Sequence, residues 1–463
     1  MRDLVFVVFL AALFGAGARR PFLFILTYVY IDIVSPQRLT YLLLNSVPIS
    51  MIAVAAAVGG WLMFDDKRDV RFAPRQFLIL MLLAYCGYTT KYADFPVEAL
   101  DKWEWAWKSL AFAAFLPLTL RTRLRIEALL LFMILSAASI IIVGGIKTLG
   151  SGGGYGQLDL MVSNNSGLYE GSTISAVAIT IIPLILWFSK HGTIFRPDWR
   201  VKLFCYALCF SCLLIPVGTS ARTGLLCIGL LAVLMLRDAK RRLMYIGLAA
   251  VLGLAAVPFL PSAYTQRMET IKEYKGDQSA STRLAVWKWT LDYVSDNPMG
   301  GGFEAYRQNR LTFDTVTVAE QGANATVERR AVQDAGRAYH SSYFEMLGEQ
   351  GYFGLALWLV IQLAGLLRME VIRRRYARAG EDQTWISPLA TALQHGHMIY
   401  LLGAAFVGIA YQPFVYMLIG AQIGLDTYLA RKRAELGWRP MRRGQATGAA
   451  VPAARTAAPT GLA

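Results

Sequence analysis

Two arginines and one histidine lie at the edges of apolar segments, where their side chains could act at a membrane surface. Arg222 lies in a turn of small residues, with Ser220 and Gly224 on either side of it. Arg283 begins an apolar-faced helical pattern, and His340 ends a long polar stretch. A guanidinium binds two phosphate oxygens at once, and an imidazole accepts a proton from a hydroxyl near neutral pH. This set of residues therefore favours binding of a phosphate at headgroup depth beside a general base.

Each of these residues also has a purely structural interpretation. An arginine at a membrane boundary can extend its side chain to the lipid headgroups, and a lone histidine is often structural. Arg283 follows Ser281, which we expect to cap a helix. Arg283 is then either a solvated first-turn residue or part of an anion site at the helix N-terminus. We expect Ser341 or Ser342 to cap the helix that follows His340.

Metal and nucleotide chemistry are not favoured by the sequence. His340 is the only histidine expected outside the cytoplasm, and a zinc site needs further His or Cys ligands there. His395 and His397 are two residues apart, so they point to different faces of a helix. The glycine-rich stretch at 150–156 lacks the Lys-Ser/Thr ending of a phosphate-binding loop. All five cysteines fall in apolar segments and are expected to be free thiols. We expect no metal and no cofactor.

The composition is typical of an integral membrane protein. Of its 463 residues, 56% are hydrophobic and only 17% are charged, and the mean hydropathy is +0.42. A membrane-spanning helix needs about 20 mostly apolar residues, and such segments recur along most of the chain. The net charge of +15 comes from Lys and Arg in short loops between these segments. The charge therefore indicates orientation in a lipid bilayer rather than binding of nucleic acid.

The apolar segments predict an all-α polytopic fold with twelve or thirteen transmembrane helices, because the first two segments are short enough to form a hairpin. Basic clusters fall on every second connection and indicate the cytoplasmic side. One large, partly helical periplasmic loop then separates the tenth and eleventh spans. The predicted spans are 4–18, 21–34, 41–64, 76–91, 105–120, 126–146, 168–189, 203–219, 223–236, 243–260, 344–367, 388–411 and 413–430.

Four regions follow from this pattern. Residues 1–260 form an N-terminal transmembrane bundle, 261–343 the large loop, 344–430 the C-terminal helices and 431–463 a disordered cytoplasmic tail. A tryptophan-rich stretch at 101–108 is expected to lie at the membrane interface, where indole rings favour the headgroup level. Asp426 falls inside the last predicted span, and the sequence gives no reason for a charge there.

The spacing of the candidate residues resembles that of bacterial O-antigen ligases. His340-Ser341, nine residues, Gly351, two residues and Gly354 are similar to the family's histidine motif. Ser220-x-Arg222-x-Gly224 resembles its arginine element, and the segment from Arg283 to the glycines at 300–302 resembles part of its loop. Residues 33–40 further resemble the O-glycosylation ligase branch associated with exosortase systems. The family often has Thr or Val after the last motif glycine, where this chain has Leu355.

The resemblance implies a metal-independent, inverting glycosyltransferase of the bacterial inner membrane. Its donor would be an undecaprenyl-pyrophosphate-linked glycan, and its acceptor a hydroxyl of lipid A-core or of a protein at the periplasmic face. Arg222 and Arg283 would hold the pyrophosphate, with Ser220 and Gly224 in the same pocket, and His340 would activate the acceptor.

Other functions remain open at this point. An O-antigen polymerase uses the same donor with another lipid-linked glycan as acceptor, and the two activities share the fold. A lipid-linked sugar transporter or flippase would place ionisable residues at the membrane midplane and contain repeats. The sequence has no convincing internal repeat, and its notable charges collect in the outer loop, with Asp426 as one exception. A receptor or scaffold would not need Arg222 and His340 on one side of the membrane.

Overall fold

The structure, a computed structural model, describes residues 2–68, 70–150, 168–237, 278–321, 324–435 and 437. The predicted span at 243–260, most of the predicted tail and nearly all of the glycine-rich stretch lie outside the described residues. The first ten helices are α1 (Arg2–Arg19), α2 (Phe22–Val34), α3 (Pro36–Leu39), α4 (Ile49–Phe64), α5 (Pro74–Lys91), α6 (Pro96–Thr119), α7 (Arg123–Gly150), α8 (Gly171–His191), α9 (Trp199–Gly218) and α10 (Arg222–Leu236). The later ones are α11 (Gln278–Asp296), α12 (Ser342–Arg375), α13 (Ile386–Ala404) and α14 (Pro413–Glu435).

Local sequence signals account for several helix starts. The Glu170 carboxylate accepts hydrogen bonds from the amides of Ser172 and Thr173 at the start of α8, and Asp198 accepts one from Val201 at the start of α9. Helices α5 and α6 begin with a proline at a position where the missing amide proton costs no hydrogen bond. Carboxylate caps satisfy amides that have no partner within the helix.

Within the described part of the chain, four helices are long and apolar enough to cross a membrane: α7, α8, α9 and α12. Helices α2, α4 and α10 are apolar but shorter. The predicted total of twelve or thirteen spans stays a prediction. Two predicted boundaries are wrong: the segment 41–64 becomes helical only at Ile49, after Pro48, and α13 ends at Ala404 instead of 411.

The prediction of an all-α fold is wrong in one region. Strands β1 (Arg310–Gln321) and β2 (Asn324–Ala335) form an antiparallel two-stranded sheet within the large loop, with Arg310 paired to Ala335 and Gln321 to Asn324. The segments 310–321 and 324–335 are rich in Thr and Val, which are enriched in strands. The helical pattern around them was given more weight, so the strands were not predicted.

The tryptophan-rich stretch belongs to α6, which begins at Pro96 and continues without interruption to Thr119. Its predicted position at the membrane interface stays a prediction. Lys102 and Ala106 are buried on the inner face of this helix, whereas Glu104 is exposed. The alternate spacing of the tryptophans made the helical pattern of this stretch difficult to recognise. The charged residues of this helix face two different environments.

Small residues allow close packing of the central helices. On α13, added side-chain carbons at Gly396 and Gly403 would touch Thr180 and Ala176 of α8 at 2.8 and 2.7 Å. On α14, Gly420 and Gly424 pack against Leu116 and the residue after α6, Leu120. Close approach of helix backbones through small residues is the usual way in which helices associate inside a membrane.

The basic connections meet at one end of the bundle, which we call the Asp426 end. Asp426 accepts two hydrogen bonds of 2.8 Å from the Arg368 guanidinium and one of 3.4 Å from Arg75. Arg125 pairs with Asp65. Further contacts join the same connections: Arg121 to Arg68, Arg123 to His191, Arg237 to Glu370 and Arg431 to Leu120. Asp426 is therefore explained as the anion of an arginine cluster that ties α5, α12 and α14 together.

Candidate functional site

A break in α12 organises the opposite end of the bundle, which we call the His340 end. Gly351 has φ 62° and ψ −167°, so the helix is interrupted there. The Gly301 and Gly302 amides donate to the carbonyl oxygens of Gly348 and Glu349 at 3.0 and 2.9 Å. In an unbroken helix those carbonyls would accept from the residues four positions later. The loop segment 298–302 therefore supplies hydrogen-bond donors to helix carbonyls at the break in α12.

Glycine is required at this junction for steric reasons. A side-chain carbon on Gly351 would lie 2.1 Å from the Pro298 carbonyl oxygen, and one on Gly300 would lie 2.6 Å from the Gly351 amide nitrogen. Gly354 packs against its own helix at Gln350 and against Tyr85. The two predicted motif glycines, Gly351 and Gly354, thus lie where the large loop docks onto the membrane bundle.

His340 immediately precedes α12 and has a left-handed backbone, with φ 49°. His340 is more exposed to solvent than the neighbouring Tyr339 and Ser341, which are buried. Ser341 occupies the predicted cap position, but its hydroxyl forms no capping hydrogen bond. The Ser342 hydroxyl instead donates to the Val407 carbonyl at 2.8 Å and accepts from the Ile409 amide at 2.9 Å. The backbone around His340 is therefore fixed on both sides.

Helix α11 docks onto this segment through Trp287. The Trp287 indole nitrogen donates to the Tyr339 carbonyl at 2.9 Å, and its ring stacks on Phe344 with centroids 4.8 Å apart and planes 4° apart. Arg283 lies one turn before Trp287 on the same helix, so both side chains are on one face. This face carries Arg283 toward His340.

The predicted start of α11 is wrong. The helix is already formed at Gln278, so Ser281 does not cap it and Arg283 is its sixth residue. The free amides of a first turn consequently lie upstream of Arg283, and the predicted anion site at a helix N-terminus is not formed at this position. At this position the positive charge therefore comes from the Arg283 guanidinium and not from the amides of a helix N-terminus.

Charge and burial together keep His340 neutral. Loss of hydration is the main reason that the pKa of His340 lies below its ordinary value of 6.5, and the positive charge of Arg283 adds to this effect. Glu170 opposes the shift, while Arg337 contributes to it. Arg283 and Glu170 are therefore both within electrostatic reach of His340. A neutral imidazole at pH 7 has a free nitrogen lone pair with which to accept a proton.

Arg222 is the first residue of α10 and follows a strained turn in which Ser220 has φ 50°. The turn packs on the first turn of α8: the Thr219 and Ser175 hydroxyls are 2.8 Å apart, and a side-chain carbon on Gly171 would lie 3.3 Å from Thr219. The buried Gly224 packs against Pro216 and Ser175. The predicted roles of Ser220 and Gly224 in ligand binding stay predictions.

The N-terminal end of α8 lies close to two of the predicted site residues, His340 and Arg222. Its cap, Glu170, lies within electrostatic reach of His340, and the next turn of the same helix contacts the Arg222 turn. Glu170 was not predicted from the sequence. A carboxylate followed by Gly, Ser and Thr ahead of a long apolar run is a helix-cap signal that would have marked it.

A second polar group lies behind Tyr339 and was also not predicted. The buried Lys102 ammonium donates to Glu345 at 2.7 Å and to Glu349 at 2.8 Å, both one to two turns into α12. Glu349 also accepts from the Glu304 amide at 3.0 Å, and Glu345 from the Ala410 amide at 3.0 Å. Two glutamates four residues apart at the start of an apolar helix are the signal that could have revealed this cluster.

The Lys102 cluster lies on the Tyr339 side of the segment 339–340, and Arg283 and Glu170 lie on the His340 side. Burial raises the pKa of Tyr339 well above its ordinary value, and the charges of Glu349, Glu345 and Glu304 contribute to the same shift. The charges that shift the pKa of His340 are instead those of Arg283, Glu170 and Arg337. Tyr339 therefore faces the carboxylates, and His340 faces the arginine. Among the residues described here, no group of three metal-ligating side chains is found.

Comparison with known protein families identifies the class of this molecule. Residues 207–359 match the family model described as O-antigen ligase. The matched segment contains Arg222, Arg283 and His340, and it includes the motif glycines of α12. The match and the apolar helices are consistent with an integral membrane protein, and the family suggests an enzyme of glycosyl transfer.

Residues 207–359 form an O-antigen ligase domain. This confirms the predicted family; the exosortase-associated branch stays a prediction. Residues 1–193 match a second model, a family of unknown function (DUF5935). No curated protein matches the chain.

Proposed function

We propose that the protein transfers a glycan from an undecaprenyl-pyrophosphate carrier to an acceptor hydroxyl of lipid A-core or of a protein. The transfer takes place at the periplasmic face of the bacterial inner membrane, without a metal, and inverts the anomeric centre. The observation that carries this proposal is the position of His340, which is held on a fixed backbone within electrostatic reach of Arg283 and Glu170.

Arg283 and Arg222 bind the pyrophosphate in this proposal. A departing pyrophosphate gains negative charge in the transition state, and fixed guanidinium groups stabilise that charge without moving. Arg283 is held by the docking of Trp287, and Arg222 by the packing of its turn on α8. Ser220 and Gly224 line the same pocket.

His340 acts as the general base. It accepts the proton of the acceptor hydroxyl while that oxygen attacks the anomeric carbon from the face opposite the pyrophosphate. The bond between the anomeric carbon and the acceptor oxygen forms as the bond to the pyrophosphate oxygen breaks. The lowered pKa keeps the imidazole in its proton-accepting form at pH 7.

Orientation of the His340 end toward the periplasm rests on the basic connections at the other end. Lys- and Arg-rich connections mark the cytoplasmic side of membrane proteins, and here they contact one another at the Asp426 end. A cysteine-labelling assay with a membrane-impermeant reagent would test this orientation. Cysteine replacing the exposed Lys288 should be labelled in intact spheroplasts, and cysteine replacing the exposed Arg374 should not.

A deletion strain tests the proposed reaction. If the protein is a ligase, its loss leaves long glycan chains on the undecaprenyl carrier, and a plasmid-borne copy removes them. Accumulation of single repeat units would instead indicate the polymerase that shares this donor. Unchanged lipid-linked glycans and unchanged glycosylated acceptors would contradict both enzymatic functions.

A further inference from the structure

A polar cavity of about 310 Å³ lies on the Tyr339 side of the His340 end. It is formed between the start of α6, the segment 304–307, the start of α12 and the connection at 408–412. Four carboxylates, two cations and three aromatic rings line it: Glu98, Asp101, Glu304, Glu345, Lys102, Arg307, Trp105, Tyr306 and Tyr411. Its volume is at the lower end of the range of about 300–1,000 Å³ that small-molecule sites occupy.

The charges of this cavity exclude a phosphate-binding role. Both cations are already neutralised, because Lys102 pairs with Glu345 and Glu349, and Arg307 pairs with Glu304 at 3.2 Å and with Glu98 at 3.6 Å. Asp101 adds an exposed carboxylate at the rim. The lining thus has an excess of negative charge, which repels a pyrophosphate and accepts hydrogen bonds from neutral donors.

The remaining lining suits a saccharide. On α6, Asp101 and Trp105 are four residues apart and therefore lie on one face, so a carboxylate and an indole border the cavity side by side. The Tyr306 phenol is fixed by a 2.7 Å hydrogen bond to Glu304 and by edge-to-face contact with Tyr339, 5.6 Å between centroids. Flat aromatic faces pack on the C–H face of a pyranose ring while carboxylates accept its hydroxyl protons.

We propose that this cavity is a saccharide-binding subsite that takes an uncharged, hydroxyl-rich sugar unit of one of the two glycan substrates. The inference rests on the proposed glycosyl transfer for the source of the saccharide. Glu345, which lines the cavity, lies five residues after His340. Tyr306 contacts Tyr339, the residue before His340. A sugar held here is therefore next to the general base, on the side away from Arg283.

Binding without turnover tests the proposal separately from the reaction. The probes are N-acetylglucosamine, maltose and inorganic pyrophosphate, added to the full-length protein in nanodiscs and followed by saturation-transfer NMR. Asp101→Asn removes the negative charge of the exposed carboxylate, which weakens its hydrogen bonds to sugar hydroxyls, and Trp105→Ala removes the aromatic face. Glu104→Gln is the matched control, because Glu104 is an exposed carboxylate of the same helix that does not line the cavity.

We expect at least one of the two sugars to bind, and we expect about tenfold weaker sugar binding in Asp101→Asn and Trp105→Ala. Glu104→Gln and Arg283→Ala should bind the sugar as the unaltered protein does, and pyrophosphate should not displace it. No sugar signal at concentrations of about tens of millimolar would overturn the proposal. Equal sugar binding in the cavity variants, or loss of it in Arg283→Ala, would also overturn it.

The origin of the sugar follows from the KM values for transfer. A raised KM for the acceptor alone in Asp101→Asn assigns the cavity to the acceptor, and a raised KM for the donor alone assigns it to the donor glycan. Both results support a saccharide subsite. Unchanged KM values for both substrates would contradict its use in the reaction, even if the isolated sugars bind.

Discussion

The two sides of the Tyr339–His340 pair differ in charge although they are separated by a single peptide unit. On the His340 side, Arg283 lowers the pKa of the imidazole, and the Arg222 turn packs on the same helix that Glu170 caps. On the Tyr339 side, carboxylates outnumber the cations that neutralise them. One side is suited to an anion and the other to neutral hydroxyls.

This difference shows how a fixed backbone can separate two chemically unlike parts of one substrate pair. The segment 339–340 is held by the Trp287 hydrogen bond on one side and by the Ser342 contacts on the other. In the proposed reaction the pyrophosphate binds on the His340 side and a sugar unit binds on the Tyr339 side.

The largest expected effect comes from removing the cation that neutralises the buried carboxylates on the Tyr339 side. Lys102→Met leaves Glu345 and Glu349 buried without their cation, which should cost about 3–5 kcal/mol of stability. Thermal unfolding of the purified protein in detergent measures this loss. Lys432→Met removes an exposed pair with Glu435 and should leave the unfolding temperature nearly unchanged. Equal behaviour of the two variants would mean that the Lys102 cluster does not stabilise the fold.

Loss of the arginine on the His340 side should lower the activity of the protein rather than its stability. Arg283→Ala is expected to lower kcat/KM for glycan transfer by about 10²–10³-fold, because it removes charge from the departing pyrophosphate. Lys288→Ala, an exposed cation of the same helix, is the control and should retain full activity. A comparable loss in both variants would attribute the effect to general positive charge near the membrane.

The junction that holds both sides together can be weakened at Gly351. Gly351→Ala places a carbon against the Pro298 carbonyl in a backbone conformation that disfavours side chains, at a cost of about 1–3 kcal/mol. Limited proteolysis should then cut the large loop faster. Gly229→Ala, where an added carbon meets open space, should leave the cleavage rate as it is. Resistance of Gly351→Ala to proteolysis would show that the loop is anchored elsewhere.

The smallest expected effects are shifts of the acid limb of the pH–activity profile. Glu170→Gln removes a negative charge that favours the imidazolium, so the pKa of His340 falls further and the limb moves to lower pH. Arg337→Gln removes a positive charge and moves the limb to higher pH. Glutamine keeps a carbonyl oxygen to cap α8. Shifts of the same sign in both variants would mean that the limb reports another group.

The sequence predicted the apolar helices and the positions of His340, Arg222 and Arg283 in the O-antigen ligase pattern, because these signals are local. It did not predict the hairpin 310–335 or the start of α11, where short alternating or polar runs are ambiguous. Asp426, Glu170 and the Lys102 cluster could not be interpreted, because their partners are remote in sequence. Lys102 and Glu349, for example, are 247 residues apart.

Replacement of His340 by asparagine tests the central claim most directly. Asparagine adopts the left-handed conformation of this residue readily, so His340→Asn removes the base while preserving the backbone. The measurement is single-turnover transfer from an undecaprenyl-pyrophosphate-linked glycan by protein reconstituted in nanodiscs. We expect the rate to fall by about 10²–10⁴-fold, with the donor concentration at half-maximal rate unchanged. An unaltered rate would contradict the assignment of His340 as the general base.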